Sequence, residues 1–219
     1  MLRCWQTSPI SISFSSLALV LFVSVGCNLD SSERPLSQRE RDEILDAIAE
    51  AELEAQNTVP PPAEISLPTP AGWVKTDRRP LPPQDNGFTV GYDHESGLAV
   101  TLYQFTRGRS SISDDLNAPE VQGEMEQAKN GIKQAVQLGY WQAADETDSG
   151  IVQLGDSEKR ALWSKFDLTV EGTKQASEVY VWSHANTYFK IRCTSHLDDY
   201  DGMKTAMKPL LTAFGKSQQ

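Results

Sequence analysis

Cysteine is scarce in this sequence: only Cys4, Cys27 and Cys193 occur among its 219 residues. Cys4 and Cys27 lie near the N-terminus, so Cys193 stands alone in the rest of the chain. A chain with one remaining thiol has no disulfide framework. Its stability must therefore come from a hydrophobic core, which a domain of about 150 residues is large enough to form.

Positive charge is also in short supply. The chain has 20 Lys and Arg against 30 Asp and Glu, and its formal net charge at pH 7 is −10. Nucleic acids and anionic lipid headgroups would be repelled by such a surface. The composition therefore argues against nucleic acid as a partner.

Catalytic motifs are missing as well. The sequence contains no G-x-S-x-G, no P-loop and no G-x-G-x-x-G. His196 is the one histidine followed by several acids, namely Asp198, Asp199 and Asp201. Acids at this position are better explained as residues that cap the following helix. We therefore predict a non-catalytic protein with no metal and no cofactor.

The N-terminus has the features of a secretory signal peptide. Arg3 supplies the positive start, residues 17–23 form an apolar run, and the small residues Ser24 and Gly26 follow. We predict that residues 1–26 are removed by cleavage before Cys27. An uncleaved membrane anchor is the alternative, although a span of about 17 residues is at the short limit for crossing a bilayer.

The segment Ser24-Val25-Gly26-Cys27 resembles the lipobox of bacterial lipoproteins. The resemblance implies a diacylglycerol group and palmitate on Cys27, a membrane-bound chain, and a domain in the periplasm. By analogy with Gram-negative lipoproteins, Asn28 favours the outer membrane. Ser24 stands where leucine is most usual, and Ser24 with Gly26 would also suit the ordinary signal peptidase, which would leave Cys27 without lipid.

Residues 27–70 are predicted to be an acidic, proline-rich tether. Ser37 and Glu40 match a helix capping box, and residues 37–57 contain no Gly or Pro, which predicts one helix there. Its narrow apolar stripe suits a spacer helix or, alternatively, a docking helix. Pro60, Pro61 and Pro62 predict a short, stiff polyproline segment. We place the start of the folded domain, residues 71–219, just after Pro70.

The domain is predicted to be α+β. Six strands are expected at residues 87–92, 98–105, 151–154, 160–170, 178–183 and 188–194, from runs rich in aromatic and β-branched residues. Apolar residues recur every three or four positions from Pro119 to Gly139 and again over residues 199–214, which predicts two helices. Pro209 is expected to kink or restart the second helix.

Alternation along the strands predicts two sheet faces. One predicted face is apolar and should be covered by the helix after Pro119; it comprises Leu98, Val100, Leu102, Leu162, Phe166, Leu168, Val170, Val179, Val181, Phe189, Ile191 and Cys193. On this assignment Cys193 is a small core residue. The opposite face mixes aromatic and basic side chains, and we take eight of them as a candidate ligand face: Tyr103, Trp163, Lys165, Tyr180, Trp182, Tyr188, Lys190 and Arg192.

The order of these elements, with the pattern Trp182…Phe189-Lys190-Ile191-Arg192, resembles the PsbP-like α/β/α sandwich. Bacterial lipoproteins of the DcrB and LpqN type share that fold. The resemblance covers about residues 73–216 and implies an antiparallel sheet with helices packed on it. It also implies an assembly or accessory factor rather than an enzyme, and it carries over no functional residues.

Three functions remain open from the sequence. The leading hypothesis is a non-catalytic envelope lipoprotein that binds a protein partner or assists an assembly. The second is a lipoprotein that binds a small anionic or acyl ligand on the candidate ligand face, where cations over aromatic rings would hold it. The third is an enzyme.

The lipobox yields the first testable prediction. If Cys27 carries lipid, the mature chain should partition with membranes and be released only by detergent, because each buried methylene contributes about 0.8 kcal/mol. Cys27→Ser should abolish lipid attachment. Mass spectrometry of the N-terminal peptide measures this, and an unmodified Cys27 at the mature terminus would defeat the lipoprotein hypothesis.

Overall fold

The computed structural model describes residues 59–65 and 69–218. The predicted signal peptide, Cys27 and the predicted helix at residues 37–57 lie outside the described residues. The strands are β1 (Trp73–Lys75), β2 (Arg79–Pro80), β3 (Gly87–His94), β4 (Ala99–Phe105), β5 (Ala143–Gln153), β6 (Arg160–Val170), β7 (Thr173–His184) and β8 (Thr187–His196). The helices are α1 (Pro119–Gln137) and α2 (Tyr200–Lys216), with short 3-10 turns at Pro83–Asp85 and Leu197–Asp199.

The strands form one antiparallel sheet in the order β1-β3-β4-β8-β7-β6-β5, and β2 also pairs with β3. Helix α1 packs on one side of this sheet and α2 on the other, so each side has its own hydrophobic cluster. We call the two sides the α1 face and the α2 face. The predicted α+β class, with helices packed on an antiparallel sheet, is confirmed.

Local sequence signals place several elements well. Strand β6 has the predicted bounds, and the tight β7–β8 hairpin was also predicted. Its two turn residues, Ala185 and Asn186, have φ values of 47° and 59°. Two consecutive positive φ angles are those of a type I′ turn, whose twist matches that of the paired strands.

Strand β5 is much longer than predicted. It begins at Ala143, eight residues before the predicted start at residue 151. Most of its side chains are exposed, because it is the last strand of the sheet order. An exposed edge strand has no buried face to impose alternation, so its polar residues look like a loop in the sequence.

Helix α1 follows the prediction. Pro119 is its first residue, and Gly139 lies just beyond its end with a φ of 76°. Pro fits the first helical position because its missing N–H has no partner there, and glycine tolerates the left-handed conformation after the last turn. Val121, Met125 and Ile132 are buried against the sheet.

Helix α2 does not restart at Pro209. It runs without interruption from Tyr200 to Lys216, so the expectation of a restart was wrong. Buried residues lie on both sides of the proline, among them Met203 and Phe214. Packing of this continuous face outweighs the lost hydrogen bond, and the carbonyl of Thr205 that Pro209 cannot satisfy belongs to an exposed residue.

The chain contacts the sheet upstream of the predicted boundary at Pro70. Asn86 Nδ2 donates a hydrogen bond of 2.8 Å to the carbonyl of Val59. Pro62 is buried, and Ile65 packs against the cluster on the α2 face. Part of the proline-rich segment is therefore in contact with the domain. Among the described residues, no helix is long and apolar enough to cross a membrane.

The C-terminal end of the chain supplies a buried hydrogen bond to the core. Trp182 is fully buried, and its Nε1 donates to Gln218 Oε1 over 2.6 Å. Gln218→Ala should lower the free energy of unfolding by about 1–2 kcal/mol, because a buried N–H loses its acceptor. Urea denaturation measures the effect. In a Trp182→Phe background the same change should have much less effect, and an equal loss in both backgrounds would contradict this role.

Candidate functional site

The predicted ligand face is divided between the two sides of the sheet. Tyr103, Tyr188, Lys190 and Arg192 lie on the α1 face, whereas the other four residues lie on the α2 face: Trp163, Lys165, Tyr180 and Trp182. The grouping of these eight residues on one surface was therefore wrong. Whether either half binds a ligand stays a prediction.

The error has a physical cause in the strand register. Residues paired across an antiparallel ladder share a face, and Lys190 pairs with Val181 while Phe189 pairs with Trp182. Strand β7 is buried at every position from Ala176 to Ser183, because both faces of the sheet are covered there. Because all of these residues are buried, the alternation of side chains along β7 does not show which of them lie on the α1 face and which on the α2 face.

The residues on the α2 face are engaged in the core. Trp182 stacks on Phe189 with ring centroids 5.3 Å apart. The Tyr180 hydroxyl donates to the buried carboxylate of Glu178 over 2.6 Å, and the Tyr200 hydroxyl donates to the same group over 2.7 Å. These contacts join α2 to the sheet. Trp182 and Tyr180 are not accessible to a ligand.

Lys165 on the α2 face has partners on both sides. Its Nζ lies 4.2 Å from the Tyr200 ring centroid and 3.7 Å from Asp167 Oδ1. Its charge is thus compensated by a carboxylate as well as by an aromatic ring. Lys165 supports the attachment of α2 and is a useful comparison for the lysine of the α1 face.

The α1 face is only partly covered by its helix. Helix α1 contacts β5, β6 and β7 most extensively. On β4 and β8, Phe105 and Tyr188 are buried in the same cluster as Val121 and Met125, whereas the residues further along this face are less covered. Tyr103, Lys190 and Arg192 lie on this part of the sheet and remain partly exposed. We call these three residues the cationic patch.

Aromatic rings hold both cations of the patch. Lys190 Nζ lies 4.2 Å from the centroid of the Tyr103 ring, and Arg192 Cζ lies 4.7 Å from that of Trp141. Among residues 59–65 and 69–218, neither cation has a carboxylate within 4.0 Å. Burial lowers the pKa of Lys190 to about 8 and also lowers the pKa of Arg192. The two charges are therefore held in a partly desolvated place.

An ion-pair network borders the patch, and no motif in the sequence indicates it. Arg107 donates to Glu124 through Nε and Nη2, over 2.5 and 2.9 Å, and its Nη1 donates to Asp85 over 2.5 Å. Arg107 follows β4 with a φ of 51°. These three residues come from separate segments, so only the fold brings them together. The network places one cation, Arg107, between the two carboxylates that act on Lys190.

An exposed apolar loop adjoins the patch on its other side. Leu138 is 56% exposed and Tyr140 is 50% exposed in the loop that joins α1 to β5. Trp141 belongs to the same loop and contacts Arg192. We call residues 138–142 the exit loop. Its aromatic residues were not among the candidates, because the loop has no periodic pattern that would set them apart.

Cys193 lies in the core, as predicted, but on the α2 face and not under α1. The predicted apolar face is itself divided, because half of its residues lie on the α2 face: Leu98, Val100, Leu102, Phe189, Ile191 and Cys193. Cys193 is 1% exposed and pairs with Val100 and Glu178 on the α2 face. Burial, together with the nearby Glu178 charge, raises the pKa of the thiol, so the reactive thiolate is disfavoured. Among the described residues, no group of three or more His, Cys, Asp or Glu is arranged to hold a metal ion.

Comparison with known proteins gives similarity at the level of structure only. No protein-family model matches the chain, and no curated protein matches its sequence. The chain is similar to cyanobacterial PsbP (CyanoP) from Synechocystis sp. PCC 6803, with 11% identity and a TM-score of 0.44, over 66% of this chain and 81% of that one. It is also similar to LpqN of Mycobacterium tuberculosis, described as involved in cell envelope biogenesis, with 14% identity and a TM-score of 0.36, over 68% and 79%. Similarities this remote carry no statement about what this chain binds.

Lys190 and Lys165, which each lie 4.2 Å from a tyrosine ring centroid, should respond oppositely to removal of their charge. Because its pKa is lowered, Lys190 destabilises the fold at pH 7, and this effect fades as pH rises from about 8 towards the ordinary value of 10.5. Lys190→Met should raise the free energy of unfolding at pH 7 by about 1 kcal/mol, a value reduced by the partial exposure of the side chain. The gain should shrink at pH 10.

Lys165→Met is the matched control for this prediction. It should leave stability unchanged or lower it, since Asp167 loses its cation. Urea denaturation of both variants at pH 7 and pH 10 measures the contrast. A Lys190→Met variant that is less stable than wild type at pH 7 would contradict a desolvated, uncompensated charge.

Proposed function

We propose that this chain is a non-catalytic lipoprotein of a bacterial cell envelope whose domain binds a protein partner and assists an assembly. Lipid on Cys27 would hold it on the membrane, with the outer membrane favoured in a Gram-negative cell. The tether would let the domain extend into the periplasm. The lipobox residues Ser24 to Cys27 support the anchor.

The observation that carries a protein partner is the exit loop. Leu138 and Tyr140 are among the few large apolar side chains that are mostly exposed in the described part of the chain. They adjoin Trp141 and Arg192, and Tyr, Trp and Arg are the residue types most enriched at binding hot spots. A contiguous surface of this composition fits a protein interface.

The shape of this surface supports the same proposal. Two concavities of the described residues lie elsewhere, one around Asp114–Asn117 with Lys159 and the other around Ser96 with His196. The exit loop borders neither of them. A projecting apolar loop suits contact with a second protein better than enclosure of a small molecule.

The cationic patch favours a second candidate function, the binding of a small anionic ligand. Lys190 and Arg192 occupy neighbouring positions on one face, without a carboxylate partner among the described residues. This arrangement would attract an anion, whereas the exit loop would contact apolar surface. The two functions share Arg192, and otherwise they depend on different residues of adjoining surfaces.

Photo-crosslinking in intact cells tests the protein-partner proposal. A photoreactive residue at position 140 should yield one reproducible crosslinked product, because this side chain projects from the exit loop. The same residue at position 151 is the control, since Ile151 is 38% exposed but lies on the edge strand β5.

A second variant makes the result specific. Leu138→Ser should weaken the product at position 140 several-fold without altering stability, because Leu138 is mostly exposed and contributes little to the core. The same product at positions 140 and 151, or no product under several growth conditions, would count against a docking surface on the exit loop.

A further inference from the structure

We infer that Lys190, Arg192 and Tyr103 form a binding site for the carboxylate group of a small organic acid. This inference rests on the second candidate function, and it names the ligand class and the residues that would hold it. The site lies on the strip of the α1 face formed by β8 and β4, beside the residues that α1 covers.

The first argument is the supply of hydrogen-bond donors. A lysine ammonium has three N–H donors and an arginine guanidinium has five. Within the described residues, none of the donors of Lys190 or Arg192 has a hydrogen-bond acceptor, and the Tyr103 hydroxyl has no partner either. All three side chains are partly exposed, so a small ligand can reach them.

The second argument is the contrast with other cations of the same domain. Arg107, Lys129, Lys165 and Lys208 each lie within 4.0 Å of a carboxylate. The chain has an excess of ten acidic residues, so carboxylates are abundant. The other described cations without a carboxylate are exposed, except Lys159, whose Nζ donates to the carbonyl of Ser183. Lys190 and Arg192 are partly buried and have neither kind of partner among the described residues, so a bound anion would offset their desolvation.

The third argument is geometric. Lys190 and Arg192 are two residues apart on β8, so their side chains leave the same face of the strand. Tyr103 pairs directly with Lys190 on β4. Contact of Arg192 with the Trp141 ring leaves the guanidinium edge available for a planar, two-oxygen acceptor. A carboxylate has that shape.

The surrounding charges favour a monoanion. Lys190 is influenced by Glu124 and Asp85, which raise its pKa, and by Arg107 and Arg192, which lower it. Arg107 compensates the two carboxylates only in part, since it carries one charge against two. A phosphate dianion would meet their repulsion, whereas a singly charged carboxylate would match the charge that remains uncompensated.

The test uses the chain from residue 27 onward, with Cys27→Ser, labelled with ¹³C-lysine for NMR. The pKa of Lys190 is followed through its Cε signal, which is assigned from a Lys190→Arg variant. Acetate or hexanoate should raise this pKa by about one unit relative to chloride at equal ionic strength, because the carboxylate favours the charged amine. Lys165 is an internal control and should not respond.

Further measurements test the site and the class of its ligand. Arg192→Gln should weaken binding of hexanoate about tenfold or more, as expected for loss of a charge-assisted contact. A Lys190 pKa that no carboxylate moves, or an equal response at Lys165, would overturn the site. A larger response to phosphate, or a response only to a glutamate-containing peptide, would overturn the ligand class. Failure of the crosslink at position 140 would leave these results untouched, so the two proposals fail separately.

Discussion

Geometry limits how much of a sheet one helix can cover. Strands lie about 4.8 Å apart, whereas a helix with its side chains is about 10 Å across, so one helix covers two to three strands. This sheet places seven strands side by side and has one helix on each face. On the α1 face the helix covers mainly β5, β6 and β7. The rest of that face can be covered only by loops and by the side chains of the sheet itself. Lys190 and Arg192 lie in this part of the α1 face.

Charged side chains on such a half-covered face are under opposing influences. Partial burial disfavours their charged forms, while aromatic rings such as Tyr103 and Trp141 compensate part of that loss. On the opposite face Lys165 meets the same problem and has Asp167 beside it. The patch lacks such a carboxylate among the described residues, although Arg107 binds two of them nearby. The difference between the two faces is what singles out the patch as a site.

The sequence predicts what depends on neighbouring residues and misses what depends on pairing. The β7–β8 hairpin and the ends of α1 follow from turn and capping residues, and these predictions are confirmed. The prediction that the eight candidate residues share one face failed because β7 is buried on both sides, so alternation along β7 does not show which of its residues face α1. The edge strand β5 has the opposite property, exposure on most of its length. The Arg107 network joins residues far apart in sequence, and no local signal could have found it.

Net charge bears differently on the proposed membrane anchor and on the proposed carboxylate site. Residues 71–219 contain 20 acidic and 16 basic residues, a net charge of −4, so charge does not favour attachment of the domain to anionic lipid. In the proposed function, lipid on Cys27 would provide that attachment instead. A small ligand responds instead to charges within about 8 Å, the screening length at physiological salt. The nearby carboxylates of Glu124 and Asp85 are partly compensated by Arg107, so Lys190 and Arg192 leave a local excess of positive charge. An overall acidic protein can therefore present a local anion site, and that site would not depend on whether Cys27 carries lipid.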